Sequence, residues 1–292
     1  MSKRAVLAAI ILVAVVTAGF ALRYRTGEGR ETLVLTTFPG VDGDLRMLLQ
    51  GCPGIDVEPI APPGSDPHTY SLKPSDVQRI KRALLIVSTG HAPFEESVKR
   101  YAPEKTVEIP EIPGIRLASL PSGAANLHMP IYDPENYKVF INYMAARLSS
   151  LLPRCAQIIE ENRRTMISII ASIETRYRDS LQGARAVASS PIAQYAVSWL
   201  GLNVSVYLVS EHEAQATPEQ VSQARTVLES GGIAIVVVDH TGAPIGPADR
   251  FLLDEASKTG APVIHVEAPY EPGPVLDKIK QVAFEAAQLG AG

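Results

Sequence analysis

At 292 residues, 46% hydrophobic and 20% charged, the chain is longer than one average domain, shorter than three, and too apolar throughout to be disordered. A net charge of −4 excludes a nucleic-acid binder that depends on a basic surface. Two cysteines exclude a disulfide-dense scaffold and any Cys-rich zinc module, so the six histidines can be weighed one by one.

The chain opens with Lys3 and Arg4 and then runs through 18 uncharged residues, 5–22. As a helix this run spans about 27 Å, close to the roughly 30 Å hydrocarbon core of a bilayer. Cleavable secretory signals have shorter apolar cores and end in a small-residue site, and Val16-Thr17-Ala18 offers only a weak one. Residues 1–26 are therefore expected to be an uncleaved signal anchor with a short linker, a cleaved signal peptide being the alternative. Lys3 and Arg4 place the rest of the chain on the extracytoplasmic face of the membrane, although Arg23 and Arg25 oppose that vote. That compartment permits a disulfide between Cys52 and Cys155; two unrelated, partly buried thiols are the other reading. Asn203-Val204-Ser205 is a weak glycosylation sequon.

From Thr32 onward, short apolar runs alternate with helical patterns. Strands are expected at 33–38, 55–60, 84–88 and 106–109, with helices at 44–50, 74–82 and 94–101. Continuous apolar strands separated by helices read as βα units around a parallel sheet. Asp133-Pro134, an N-cap followed by Pro at the first helical position, opens a helix that Pro153 stops. The most periodic stretch follows, with Ile159, Met166, Ile169, Ile170, Ile173, Tyr177 and Leu181 on one stripe. As one helix over 155–181 it would reach about 40 Å, too long for a crossover within a small sheet and suited to a strut between two halves. The βα alternation then resumes, with strands at 184–189, 204–209, 233–238 and 263–266 and helices at 192–200, 218–230 and 248–259.

The expected fold is thus α/β: two lobes, each a roughly four-stranded parallel sheet flanked by helices, joined by one long rigid linking helix. The domains are residues 27–153, the linking helix 154–182, and residues 183–292. Open parallel sheets bind ligands outside the carboxyl ends of their strands, so the residues after each strand carry the functional information. After the second strand, a Pro/Gly-dense loop of defined shape presents His68, with Asp66 placed to orient it. His128 precedes the capped helix. The second half offers Ser189-Ser190, Glu211-His212-Glu213, Asp239-His240 and Glu267. Imidazole with carboxylate suits zinc, manganese or iron rather than copper(I). His265 shares a strand face with Glu267 and reads as a packed or supporting residue, and His91 as an ordinary loop residue.

The run PGSDPHTYSLKPSD at 63–76 resembles the PGxDPHxYxxxPSD motif of the zinc/manganese/iron solute-binding proteins of ABC importers. The stretch from His128 to Asn136 is similar to that family's H-x-W-L-D-P-x-N block, with Ile131-Tyr132 in place of Trp-Leu. Glu213 to Gln220 resembles the E-P-S/T-P-x-x segment that opens a later helix, and the coverage runs from Thr32 to the C-terminus. The resemblance implies two α/β lobes on a rigid helix, with His68 and His128 as the first two metal ligands. Two departures stand out. Ser190 occupies the position of the third ligand, a His or Glu in the family, and a neutral hydroxyl is a poor ligand for these metals. Glu267 stands where the family has an aspartate, which keeps the carboxylate and adds a methylene of reach. The implied site is His68, His128 and Glu267, its fourth position filled by water or by His240. The stretch 118–127 lacks the His-rich loop common in zinc-selective members, which favours manganese or iron, or a looser zinc site.

The function implied is capture of a divalent cation (Zn²⁺ or Mn²⁺, with Fe²⁺ as the further option) between the lobes and delivery to an ABC permease driven by a cytoplasmic ATPase. The protein would act as a monomer held to the membrane by its N-terminal segment, with no nucleic-acid partner. Two alternatives remain at this level: a relative that has lost strict metal binding and takes another small ligand, supported by Ser190, and a metal-dependent hydrolase. Against catalysis, no general base with a supporting motif stands out, neither cysteine has a matched histidine, and no G-x-S-x-G, P-loop or G-x-G-x-x-G turn occurs.

Overall fold

The computed structural model describes residues 31–66, 69–120, 122–209 and 216–289. The expected membrane anchor, His68 and the acidic-histidine cluster at 211–213 lie outside the described residues. Among the described residues no helix is long and apolar enough to cross a membrane.

In the first lobe, β1 (Thr32–Thr36), β2 (Ile55–Pro59), β3 (Leu85–Ser88) and β4 (Thr106–Glu108) form one parallel sheet in the order β2-β1-β3-β4. Its helices are α1 (Asp42–Leu49), α2 (Pro74–Arg82) and α3 (Glu95–Tyr101). Two longer helices follow, α4 (Pro134–Leu151) and α5 (Ala156–Tyr177). The second lobe repeats the plan. β5 (Arg185–Ala188), α6 (Ala193–Ser198), β6 (Asn203–Tyr207), α7 (Pro218–Glu229), β7 (Ile233–Val238), α8 (Pro247–Thr259) and β8 (Val263–Glu267) build a parallel sheet in the order β6-β5-β7-β8, and α9 (Val275–Leu289) closes the chain. The third strand of each lobe, β3 and β7, is buried along its whole length. That is the cause of their unbroken apolar sequences: an inner strand of a parallel sheet has helices on both faces.

The cap expected at Asp133-Pro134 is present. The Asp133 carboxylate accepts from the amides of Glu135 and Asn136 at 2.9 and 3.0 Å, with Pro134 at the first helical position. Thr217 and Gln220 form a reciprocal capping box at the start of α7. Cys52 and Cys155 are paired in a disulfide, Cα atoms 5.7 Å apart, which joins the end of α1 to the start of α5.

Two elements differ from the sequence reading. The linking helix α5 has 22 residues and stops at Tyr177 instead of continuing to Leu181. Asp179 turns to φ 56°, and the amides of Asp179, Leu181 and Gly183 donate to the carbonyls of Trp199, Leu200 and Gly201 at 3.2, 2.9 and 3.1 Å. These external acceptors replace the helical ones, so Leu181 is buried without being helical. The second difference is α9, a helix that the strand-and-helix pattern above does not include. Its apolar stripe of Val275, Leu276, Ile279, Val282, Ala283 and Ala286 is fully buried.

One apolar core runs through both lobes. It joins Val34 and Leu85 of the first sheet, Phe140 and Met144 of α4, Ile159 and Ile170 of α5, Ile235 and Ile264 of the second sheet, and Ile279 of α9. Two smaller clusters lie on the outer faces of the sheets. Helix α5 packs on α1 and α4 on one side and on α9 on the other.

Candidate metal centre

A sheet ordered 2-1-3-4 reverses its winding between strands 1 and 3, and the crevice outside their carboxyl ends is the expected binding place. In the first lobe this crevice lies beyond β1 and β3, where Phe38 and His91 sit. There the two lobes line a small, half-open cavity of about 40 Å³, walled by His128 and Met129 from the loop before α4 and by Pro269 and Tyr270 after β8. That volume fits a water or an ion and is far below the roughly 300–1,000 Å³ of pockets for organic ligands. A much larger hollow, about 780 Å³, lies at the amino ends of β1 and β2 around Asp56, Arg79 and Lys105 and is lined by none of the histidines considered above.

His128 is held by a network that fixes its chemistry. Asn126, fully buried, accepts from the His128 amide through Oδ1 at 2.9 Å and lies 2.8 Å from the ring Nδ1 through the same atom. Its Nδ2 donates to the Pro191 carbonyl at 3.0 Å and to Gln194 Oε1 at 2.7 Å. An amide proton on one side and a carbonyl on the other leave one orientation for this carboxamide, so the ring Nδ1 must carry the proton. The lone pair is then on Nε2, the arrangement of a histidine prepared for a metal. The Asn126 carbonyl also accepts from the Tyr195 hydroxyl at 2.7 Å, and that hydroxyl accepts from the Ala118 amide at 2.8 Å. Pro191, Gln194 and Tyr195 belong to the second lobe, so the residue that orients His128 also fastens the lobes together. Between His128 and Asp133 the chain has one residue more than H-x-W-L-D-P, and it turns through Met129 in the left-handed region at φ 49°.

His91 lies against His128, their ring centres 4.2 Å apart and inclined at 56°. The sequence reading had it as an ordinary loop residue. Its loop is rigid. The buried Glu95 carboxylate accepts from the amides of Thr89, His91 and Ala92, all at 2.8 Å, and from the Thr89 hydroxyl. Gly90 has φ +72°, and a Cβ there would approach Pro110 Cδ to 3.0 Å, so the turn needs glycine.

The second-lobe candidates are distributed differently. Glu267 ends β8; its Oε1 is 3.5 Å from Lys278 Nζ, and its backbone carbonyl accepts from the Tyr132 hydroxyl at 2.7 Å. Lys278 is buried and also donates to the carbonyls of Ala268 and Glu271 at 3.0 and 2.7 Å. Burial pulls its ammonium down, opposed by Glu267 and Asp44. His240 is largely exposed and its Nδ1 lies 2.8 Å from Glu271 Oε2, whose hydrogen bond raises the imidazole above its usual range. His265 pairs with Glu285 at 3.1 Å. Ser190 Oγ is buried with no hydrogen-bond partner among the described residues. Among those residues no three His, Cys, Asp or Glu side chains converge as a metal-holding group, and His68 is not among them.

Residues 50–274 match the family model of the periplasmic zinc-uptake complex component A, ZnuA. The chain belongs to this family. A protein of Thermotoga maritima described as "Putative metal-binding protein" is 30% identical over 164 residues, 54% of this chain and 57% of that one. The high-affinity zinc uptake system protein ZnuA of Haemophilus ducreyi is 38% identical over 61 residues, 20% of each chain. The chain therefore spans little more than half the length of the first of these curated relatives and a fifth of the second. Among solved structures, the periplasmic zinc-binding protein TroA of Treponema pallidum superposes with a TM-score of 0.69 at 17% identity, over 89% of this chain and 98% of that one. The solute-binding protein FpvC of Pseudomonas aeruginosa in complex with Mn²⁺ gives 0.68 at 16% identity over the same shares. At these identities the likeness is one of fold. The family is thus that of a periplasmic zinc-uptake component, and the fold is the one shared with ZnuA and TroA.

Proposed function

We propose that this protein captures a divalent cation in the cleft between its lobes, on the extracytoplasmic side, and delivers it to an ABC permease driven by a cytoplasmic ATPase. The observation that carries the reading is His128, its proton held on Nδ1 by Asn126 at the wall of an ion-sized cavity lined by both lobes. The donor chemistry fits zinc, manganese or iron, with neutral imidazole and carboxylate as the available groups. His68 and His128 bind from the first lobe and Glu267 from the second. His240, engaged by Glu271 at the surface, stands at the rim of the cleft and not on the ion. The relatives named for zinc uptake or zinc binding and the manganese-bound fold neighbour support a first-row divalent ion as cargo. The N-terminal segment tethers a monomer to the membrane.

A ligand that binds only the native state raises its melting midpoint. Metal-stripped protein titrated with Zn²⁺, Mn²⁺ and Fe²⁺ is expected to melt higher with at least one of them, and saturation at 100 times Kd is worth about 2.7 kcal/mol. The joint change His68→Ala plus His128→Ala should abolish the rise. Absence of a rise with all three ions, or a rise untouched by the double change, overturns the proposal.

A further inference from the structure

We propose that His91 is a metal ligand beside His128 and supplies the donor missing at Ser190. The inference rests on the metal-carrier reading above and adds a residue to it. His91 and His128 face the same cavity with ring centres 4.2 Å apart. Two imidazoles each bound through one nitrogen to a tetrahedral ion at about 2.0–2.1 Å have ring centres roughly 5 Å apart. A movement of less than about 1 Å, of the size that side chains make on binding, brings one geometry to the other.

The backbone under His91 is prepared for such a task. It leaves β3 at the point where the sheet reverses its winding, the place where open α/β sheets bind. Three amides and a hydroxyl close on the buried Glu95 carboxylate, and the positive φ of Gly90 sets the turn. A ligand on a preformed loop loses little conformational freedom when it binds. The pseudo-equivalent residue of the second lobe, His240 after β7, is exposed and engaged by Glu271. Of the two histidines that follow a third strand, His91 is therefore the one that shares the cavity with His128.

A further consequence concerns the metal. Carboxylate and water suit manganese, whereas imidazole suits zinc, iron and nickel. An added imidazole turns the site away from manganese and toward zinc or iron, which narrows the preference suggested by the missing His-rich loop.

Metal-stripped full-length protein, His91→Ala, His91→Gln, Ser190→Ala and His128→Ala would be compared by competition with a chromophoric chelator for Zn²⁺ and Mn²⁺. The number of bound imidazoles would be read by X-ray absorption of the zinc complex. Loss of even a group that only orients a ligand costs about 10–100-fold in affinity. Both His91 variants are therefore expected to bind Zn²⁺ at least ~100-fold more weakly, to lose less for Mn²⁺, and to show one imidazole fewer, as His128→Ala does. Their metal-free melting midpoints serve as the control for folding, and Gln keeps the polarity and much of the volume if Ala does not fold. Ser190→Ala should bind as the parent does. Parent-like Zn²⁺ affinity and imidazole count in either folded His91 variant overturns the assignment while leaving the carrier reading intact. A parent that binds neither ion overturns both.

Discussion

Asn126 shows how much a single buried side chain decides in this site. Its Oδ1 sets the proton of His128 and its Nδ2 holds the second lobe through Pro191 and Gln194. The two roles separate on substitution. Asn126→Leu removes both and should weaken Zn²⁺ binding by about 10–100-fold. Asn126→Asp keeps an acceptor for Nδ1 and loses the donor to Pro191, so its metal affinity should stay at or above the parent's while its stability falls. Calorimetric titration with urea denaturation of each variant distinguishes them; equal loss of affinity in both would mean that Asn126 acts by packing alone. None of this is written in the local sequence. Asn126-Leu127-His128 marks a candidate histidine, but the partners that settle its tautomer are 65 and 68 positions away.

At the scale of elements, α9 is the instructive case. Its amides at Val275 and Leu276 donate to the carboxylate of Asp44 in α1, at 2.7 and 3.4 Å, and the Tyr137 hydroxyl of α4 donates to the same carboxylate at 2.6 Å. A residue of the first lobe thus caps a helix of the second. Asp44 is fully buried, and burial raises its carboxyl to about 6 against the lowering by these three hydrogen bonds. A carboxyl whose folded pKa lies above its unfolded value of 3.8 binds its proton more tightly when folded. Its contribution is most favourable below about 4, declines as pH rises to about 6, and is constant above that. The stability of the parent relative to Asp44→Asn should therefore fall across this window and level off, as urea denaturation at a series of pH values would record. A difference that grows with pH would mean that the hydrogen bonds outweigh burial. Helix α9 has a regular apolar stripe that the strand-and-helix pattern passed over; its cap lies beyond any local pattern, since it comes from 231 residues earlier. The end of α5 was hidden for a similar reason: the carbonyls of Trp199 to Gly201 that draw the chain out of the helix come from another part of the fold.

At the scale of the molecule, the lobes share one core with α4, α5 and α9. A wide hinge motion would break that core, and packed interiors do not deform continuously. The Cys52–Cys155 disulfide adds a covalent tie between α1 and the linking helix. Metal binding is then expected to tighten the cleft without moving the lobes apart or together as bodies. The radius of gyration from small-angle scattering should agree within about 1 Å between metal-stripped and zinc-loaded protein, as for other pre-organised binders; a larger contraction would show a hinge that the shared core does not suggest. Both lobes contribute to the wall of the cavity, so under the proposed function ion binding and contact between the lobes are energetically joined.

By itself the sequence determined the α/β class, the two four-stranded parallel sheets and the connecting helix, because these follow from periodicity, caps and turn chemistry within a few residues of each position. It singled out His240 and passed over His91, although each follows the third strand of its lobe. Their surroundings differ, and those are set by chain segments far away in the sequence. Tertiary structure decided that His91 meets His128, that Asn126 holds the ring by its proton, that Glu267 has Lys278 beside it and that Asp44 caps α9. Local patterns follow from backbone geometry and burial, which repeat along a chain. A site between two lobes depends on which distant groups are brought within hydrogen-bonding reach, and only the packed core fixes that.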